Sequence, residues 1–184
     1  MDEQKGTLYF FTGLAGAGKT TIGGLFYQHL KARKANVAFS DGDRRRANLA
    51  AIADKTGNAE QAVAAKDYST EARLRGAKGM FQRYKAIVDQ GKDVVCCGIA
   101  MYDEVRDWNR ANIENYVEIY IKVSMETLIQ RDQKGLYTSG EKNVVGVDLP
   151  WDEPKNPDIV IENEGDETPE AIVDRIEKQL GLVE

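Results

Sequence analysis

Histidine and cysteine are both scarce in this sequence of 184 residues. His29 is the single histidine, so a metal site built on several histidines, or a serine–histidine pair, has almost nothing to draw on. The two cysteines, Cys96 and Cys97, are adjacent in an apolar run typical of a strand, where neighbouring side chains point to opposite faces. We therefore expect two buried thiols in a reducing cytoplasm rather than a disulfide between them.

A basic surplus and long apolar runs are also lacking. The formal net charge is −5, whereas a nucleic-acid-binding protein usually carries excess positive charge. No apolar stretch approaches the ~20 residues that span a bilayer, and the first residues lack the basic-then-apolar pattern of a signal peptide. These absences predict a cytoplasmic protein with neither nucleic acid nor a membrane as its partner. The length suits a single domain over residues 1–184.

The sequence does contain a glycine-rich stretch, GLAGAGKTT, at residues 13–21. It fits the pattern G-x-x-x-x-G-K-[ST], with an apolar, strand-like run before it and apolar residues at helical spacing after it. A strand, a glycine loop and a helix N-terminus together form a cradle for phosphate groups. The alternative, a glycine-rich turn that matches by chance, does not account for the flanking strand and helix. The sequence therefore predicts that the protein binds a nucleoside triphosphate.

Within this stretch, Lys19 is predicted to reach the β- and γ-phosphates and to neutralise the transferring group. The Thr20 hydroxyl is predicted to help hold Mg²⁺. The residues predicted to bind the triphosphate of ATP are Gly13, Ala15, Gly16, Ala17, Gly18, Lys19, Thr20 and Thr21.

Strand-like runs alternate with helical patterns along the chain, which predicts an α/β fold. The predicted strands are 8–11, 36–39, 93–99, 117–123 and 159–161, and the predicted helices are 19–33, 69–90, 103–114, 124–132 and 168–180. We expect a P-loop NTPase or kinase fold, with a parallel five-stranded sheet flanked by helices on both faces. Residues 48–66 are alanine-rich and irregular, and they are predicted to form short helices. Residues 133–157 are too long for a simple connection and are predicted to form a lid.

Two carboxylates follow the second predicted strand, in Asp41-Gly42-Asp43. Ligands of parallel sheets gather at the carboxyl ends of strands, so both carboxylates can face the glycine loop. Asp43 could accept or orient the proton of an attacking hydroxyl, Asp41 could act on the metal through water, and Arg46 could hold an anionic acceptor. An Asp-Gly turn followed by a solvated basic helix start is the alternative.

These residues resemble those of the adenylylsulfate (APS) kinase family. Residues 41–46, DGDRRR, are similar to the family's DGDN-x-x-R segment, and residues 131–137, RDQKGLY, are close to its RDPKGLY string. The resemblance implies a homodimer that uses ATP and Mg²⁺ to phosphorylate the ribose 3′-hydroxyl of adenosine 5′-phosphosulfate. It implies that Arg131 contacts ATP. The residues it places on the acceptor are Arg46, Tyr68, Arg73, Ile99, Lys134 and Leu136.

The chain departs from the family pattern in its acceptor-handling positions. Arg44 stands where the family has asparagine, and Gly76 replaces an asparagine that binds the acceptor. A divergent relative acting on a cytidine nucleotide, such as the cytidine diphosphoramidate kinase of capsule biosynthesis, is therefore the alternative, and an inactive nucleotide-binding relative is a further one.

A GTPase switch would need an N-K-x-D motif, which the sequence lacks. Arg106 and Arg110 match two family arginines; from their spacing alone they indicate a solvated helix face.

Overall fold

The computed structural model describes residues 4–42, 44, 48, 67, 69–132, 135–140, 142 and 144–184. Within them the chain forms a five-stranded sheet in the order β2-β3-β1-β4-β5, in which every pairing is parallel. The strands are β1 (Leu8–Thr12), β2 (Val37–Asp41), β3 (Asp93–Gly98), β4 (Tyr116–Lys122) and β5 (Ile159–Glu162). The predicted fold class is confirmed.

Five helices lie in the described part of the chain and cover both faces of this sheet. They are α1 (Lys19–Arg33), α2 (Thr70–Val88), α3 (Asp103–Asn112), α4 (Met125–Arg131) and α5 (Pro169–Gln179). Ser69, Ser124 and Thr168 accept a hydrogen bond from a first-turn N–H at the starts of α2, α4 and α5, which fixes where these helices begin. The predicted helices agree with these bounds to within a few residues.

Alternation along the strands divides the core between the two faces. Tyr9 and Phe11 of β1 pack with Phe26 of α1, and the ring centroids of Tyr9 and Phe26 are 5.1 Å apart. Phe10 points the other way and packs against Phe81 of α2, with ring centroids 4.9 Å apart. Helices α1 and α5 therefore cover one face, and α2 and α3 the other.

The two cysteines follow the same alternation. Cys96 belongs to the core under α2, and Cys97 to the core under α1. Both are buried and free, as their adjacency in β3 predicted. Burial raises the pKa of both thiols, and for Cys97 the nearby Asp41 carboxylate adds to the rise, to about 12. Both side chains are therefore protonated at neutral pH.

The described part of the predicted lid packs onto the domain. Val144 and Val145 are buried, and Leu14 of the glycine loop lies against Gly146. Further along, the Asp152 backbone N–H donates to the Met101 carbonyl at 2.9 Å. This half of the segment is therefore anchored to the core, while Gln133 and Lys134, at its start, lie outside the described residues.

Arg106 is buried, contrary to the solvated face expected from the spacing, whereas Arg110 is exposed and paired with carboxylates. Arg106 is 4% exposed and donates to the Asp152 carbonyl at 2.7 Å. Arg110 lies 3.2 Å from a Glu118 carboxylate oxygen. Glu118, a carboxylate of β4, is buried under α3 and requires cationic partners. The spacing of residues along α3 carries no information about this neighbour on another element.

Glu118 predicts a pH dependence of stability. Burial raises the pKa of this carboxyl to about 7, although Arg106 and Arg110 act to lower it. Between about pH 4.5 and 7 the unfolded chain loses this proton while the folded chain keeps it, so the free energy of unfolding falls as the pH rises. We expect the free energy of unfolding of the wild type, minus that of Glu118→Gln, to decrease across this window in denaturant titrations. A difference that increased with pH would contradict the assignment.

Candidate active site

The glycine loop between β1 and α1 has the backbone conformation of a phosphate cradle. Gly13 has φ 151°, and a Cβ placed there would lie 2.4 Å from the Ile121 carbonyl oxygen. Gly18 precedes α1 with φ 97°, a left-handed conformation, and a Cβ there would lie 2.9 Å from Asn163 Nδ2. Glycine is required at both places, because any side chain would be strained and would collide. The loop can therefore turn its N–H groups toward a ligand at the start of α1.

Lys19, Thr20 and Asp41 meet at the mouth of this loop. Lys19 Nζ donates to the Leu14 carbonyl at 2.7 Å, which holds the ammonium group over the loop. The Thr20 hydroxyl donates to Asp41 Oδ2 at 2.5 Å, although the two residues lie at the ends of different elements. Asp41 Oδ1 accepts from the backbone N–H of Arg44 at 3.0 Å. A cation, a hydroxyl and a carboxylate are thus brought together at this point.

A cavity of about 450 Å³ opens along the carboxyl ends of the strands at this point. The predicted residues that line it are Ala15, Gly16, Gly18, Lys19, Thr20, Thr21, Asp41, Arg131 and Leu136. Gly13 and Ala17 shape the loop but are not among the described lining residues. The volume falls in the range of pockets that hold nucleotide-sized ligands.

At the β4–β5 side, the cavity is apolar on one wall and cationic on another. Leu128 of α4, Pro169 and Ile172 of α5 supply the apolar wall. The Arg131 guanidinium donates to the Asn163 carbonyl at 2.8 Å, and the Asn163 side-chain amide donates to the Ala17 carbonyl at 2.9 Å. Apolar side chains in the same cavity as a guanidinium group held by a hydrogen bond suit a stacked aromatic base.

Tyr137 joins the lid segment to the glycine loop. Its hydroxyl donates to the Ala15 carbonyl at 2.7 Å, and its ring packs against the core under α1. Asp132 holds the turn that carries it, because its carboxylate accepts from the Tyr137 backbone N–H at 3.1 Å and from the Thr138 hydroxyl. Burial, with a contribution from Asp132, raises the pKa of Tyr137 to about 12, so the phenol remains a donor at neutral pH.

Replacing Tyr137 by phenylalanine is therefore expected to loosen the glycine loop without removing the packing of the ring. One hydrogen bond is lost, so we expect the KM for the nucleoside triphosphate to rise by about 5- to 10-fold, with a smaller change in kcat. Steady-state kinetics at saturating second substrate measure both. Tyr27→Phe, whose ring packs against Phe39 of β2 and is not among the described residues that line the cavity, is the matched control and should leave KM unchanged. Equal KM values for the Tyr137 variant and the wild type would show that the contact is unimportant for binding.

Several further predicted site residues are not among the described residues that line this cavity. Asp43, Arg46, Tyr68 and Lys134 lie outside the described residues, so their roles stay predictions. Arg73 lies in the first turn of α2, and the Ile99 carbonyl accepts from the Thr12 hydroxyl at 2.7 Å. Neither is among the described residues that line the cavity, and their assignment to the acceptor also stays a prediction.

The sequence analysis missed other residues that line the cavity. They are Ile22, Arg44, Cys97, Gly98, Leu128, Asp132, Tyr137, Asn163, Glu167, Pro169 and Ile172. The signal that could have identified Asn163 is its place directly after β5, since ligands gather at the carboxyl ends of strands. For Tyr137 the signal is its place at the end of RDQKGLY, the string that resembles the family's RDPKGLY, although that string does not show which group the phenol contacts.

The sequence pattern of the family described as adenylylsulphate kinase matches residues 5–162. This chain belongs to that family. Among curated relatives of the family, the cytidine diphosphoramidate kinase of Campylobacter jejuni is 40% identical over 179 residues, covering 95% of this chain and 96% of that protein. The adenylyl-sulfate kinase of Oceanobacillus iheyensis is 31% identical over 178 residues, covering 94% of this chain and 83% of that protein.

Solved structures agree on the fold of the family. The APS kinase of Mycobacterium tuberculosis, crystallised with AMPPNP and APS, superposes with a TM-score of 0.77 over 96% of this chain and 98% of that one, at 22% identity. At this identity the similarity supports the fold. Among the described residues, no helix has both the length and the apolar character that crossing a bilayer requires.

Proposed function

We propose that this member of the family is an ATP-dependent kinase that transfers the γ-phosphoryl group to the ribose 3′-hydroxyl of a nucleotide. The observation that carries the proposal is the meeting of Lys19, Thr20 and Asp41 in one cavity at the start of α1. Family membership supports the class of reaction.

The order of the strands orients the two substrates. The apolar wall formed by α4 and α5 lies at the β4–β5 side, the glycine loop follows central β1, and Asp41 ends β2 at the opposite edge. ATP would place its base on the apolar wall beside Arg131 and its phosphates over the loop. The acceptor would then approach from the β2–β3 side, where its hydroxyl meets the terminal phosphate.

The chemistry that this arrangement supports is a direct displacement. The 3′-oxygen forms a bond to the γ-phosphorus while the bond from that phosphorus to the β–γ bridging oxygen breaks, and ADP leaves. We propose that Asp43 accepts or orients the hydroxyl proton and that Lys19 neutralises charge on the transferred group. Bringing the two substrates together in one cavity supplies much of the rate enhancement.

Oxygen ligands suited to Mg²⁺ are present at the same point. The Thr20 hydroxyl and the Asp41 carboxylate are the hard donors this ion prefers, and they lie 2.5 Å apart inside the cavity. When bound there, Mg²⁺ would neutralise the β- and γ-phosphates. We propose Thr20 as its ligand, with Asp41 acting through water.

Two acceptors are consistent with the family, and we favour the cytidine nucleotide. The 40% identical relative is named for cytidine diphosphoramidate, whereas the adenylyl-sulfate kinase of Oceanobacillus is 31% identical. The acceptor-side departures at Arg44 and Gly76 agree with this choice. Adenosine 5′-phosphosulfate is the second candidate.

The cytidine acceptor would place the protein in capsule modification, and adenosine 5′-phosphosulfate would place it in sulfate assimilation. In either case we propose a cytoplasmic homodimer whose protomer, residues 1–184, is one kinase domain.

A coupled assay of ADP release across a set of acceptors tests the proposal. The set contains cytidine diphosphoramidate, cytidine diphosphate and adenosine 5′-phosphosulfate, each with its 3′-deoxy analogue as control. We expect ADP release only with a free 3′-hydroxyl, and a 3′-phosphorylated product by mass spectrometry. Guanine-specific hydrolysis that no acceptor accelerates would instead indicate a nucleotide switch, and nucleotide binding without any turnover would indicate an inactive relative.

A further inference from the structure

Three cationic side chains in the described part of the chain line the cavity, and two of them are held by protein carbonyls. Lys19 donates to the Leu14 carbonyl, and Arg131 donates to the Asn163 carbonyl. Arg44 differs from both. Its side chain is exposed at the cavity, and no hydrogen bond or ion pair joins its guanidinium group to another described residue.

The backbone N–H of Arg44 makes a hydrogen bond, whereas its guanidinium group has no partner among the described residues. The backbone N–H donates to Asp41 Oδ1, and the other oxygen of that carboxylate accepts from the Thr20 hydroxyl. Arg44 is therefore tied to the same carboxylate that meets the glycine loop. It lies at the β2 edge of the cavity, at the opposite end from the apolar wall of α4 and α5.

In the substrate arrangement proposed above, this position puts Arg44 at the acceptor end of the cavity and away from the base of the triphosphate. A guanidinium group offers parallel N–H donors that match adjacent oxygens of a phosphoryl group. A substituted phosphoryl group carries its negative charge on fewer oxygens than a terminal sulfuryl group does, so each oxygen is a stronger hydrogen-bond acceptor. A guanidinium that pairs with none of the described residues, placed at this end, therefore favours an acceptor with a second phosphoryl group.

We propose that Arg44 binds the outer phosphoryl group of the acceptor and makes the protein selective for nucleoside diphosphate derivatives over nucleotides that lack that group or carry sulfate in its place. This inference rests on the proposed function, because it assumes an acceptor at the β2 side of the cavity. Arg44 would act in substrate selection, whereas Lys19 would neutralise the transferred phosphoryl group.

The test compares cytidine diphosphate with cytidine monophosphate, which differ only in the outer phosphoryl group, and adds adenosine 5′-phosphosulfate as a nucleotide that carries sulfate in its place. Wild type, Arg44→Asn and Arg44→Lys are assayed for ADP release with cytidine diphosphate, cytidine monophosphate and adenosine 5′-phosphosulfate. Arg83→Asn, an exposed arginine of α2, is the matched control. Thermal unfolding and the KM for ATP are measured for each variant, so that misfolding or a damaged ATP site would be detected.

We expect the wild type to prefer cytidine diphosphate to cytidine monophosphate in kcat/KM. Arg44→Asn should raise the KM for cytidine diphosphate by about 10- to 100-fold and remove that preference, because it removes a charged bidentate contact. The KM of Arg44→Lys for cytidine diphosphate should lie between those of the wild type and Arg44→Asn, since lysine keeps the charge but lacks the parallel N–H donors of arginine. The KM for ATP, the activity with the monophosphate and all values for Arg83→Asn should stay within about threefold of wild type, because no charged contact is lost in these cases.

Three results would overturn this inference while leaving the proposed function in place. They are activity of the wild type on adenosine 5′-phosphosulfate alone, equal losses with every acceptor after Arg44→Asn, and no effect of that substitution. Equal losses would mean that Arg44 acts on the transferred group. Absence of acceptor-dependent ADP release in the wild type would instead reject the proposed function, and the inference with it.

Discussion

Replacing Lys19 by methionine is expected to lower kcat by about 10²- to 10³-fold, the usual loss when one charge-stabilising group is removed from a transition state. Methionine keeps much of the apolar stem of lysine, and the start of α1 is fixed by the glycine loop, so the fold should persist. The ammonium group lies over the loop, 2.7 Å from the Leu14 carbonyl, and is placed to turn to the terminal phosphates. Single-turnover assays with saturating ATP and acceptor measure the loss in the chemical step.

Lys31→Met provides the control on the same helix. Lys31 is exposed in the last turn of α1 and donates only to the nearby Ala35 carbonyl, among contacts with described residues. This variant should have wild-type kcat and a similar unfolding midpoint. If Lys19→Met retained more than about a tenth of wild-type kcat, the γ-phosphate would have to be neutralised by another group, and the assignment of Lys19 would be wrong.

Replacing Asp41 by asparagine is expected to lower kcat by about 10- to 100-fold and to raise the Mg²⁺ concentration needed for half-maximal rate. Asparagine keeps one accepting oxygen, which can serve the Arg44 N–H, but it places an amide donor where the second oxygen accepts from the Thr20 hydroxyl and removes the negative charge. Losses of this size are typical when a partner that orients metal ligands is changed. Titration of the rate with MgCl₂ at fixed ATP measures both effects.

Asp107→Asn, exposed on α3, controls for the change in net charge. It should leave the Mg²⁺ titration unchanged. A variant of Asp41 with reduced kcat but an unaltered Mg²⁺ requirement would place this carboxylate on the acceptor rather than on the metal. A variant with wild-type rates would remove Asp41 from the mechanism altogether.

Much of the fold was predictable because its signals are local. Apolar runs such as residues 8–11 and 93–99 depend only on neighbours in the chain, and the structure confirms the strands they predict. The glycine loop was predictable for the same reason. Its backbone requirements at Gly13 and Gly18 are visible as residue types.

The contacts that the sequence did not predict depend on which helices, strands and loops become neighbours in space. Asn163 contacts the glycine loop only because β5 lies beside β4 at one edge of the sheet. Arg106 appears exposed from its helical spacing, yet the 152–158 segment and Glu118 bury it. Tyr137 reaches Ala15 across more than a hundred residues of sequence. No pattern within one element carries this information, and for Asp43, Arg46, Tyr68 and Lys134 the sequence predictions stand alone.

The separation of the apolar wall at β5 from Asp41 at β2 has a stereochemical consequence. With the glycine loop between them, both nucleotides can be present at the same time, and the phosphoryl group can pass from one to the other without first being attached to the protein. We therefore expect a sequential rate law and, with a chirally labelled γ-thiophosphate, inversion of configuration at phosphorus.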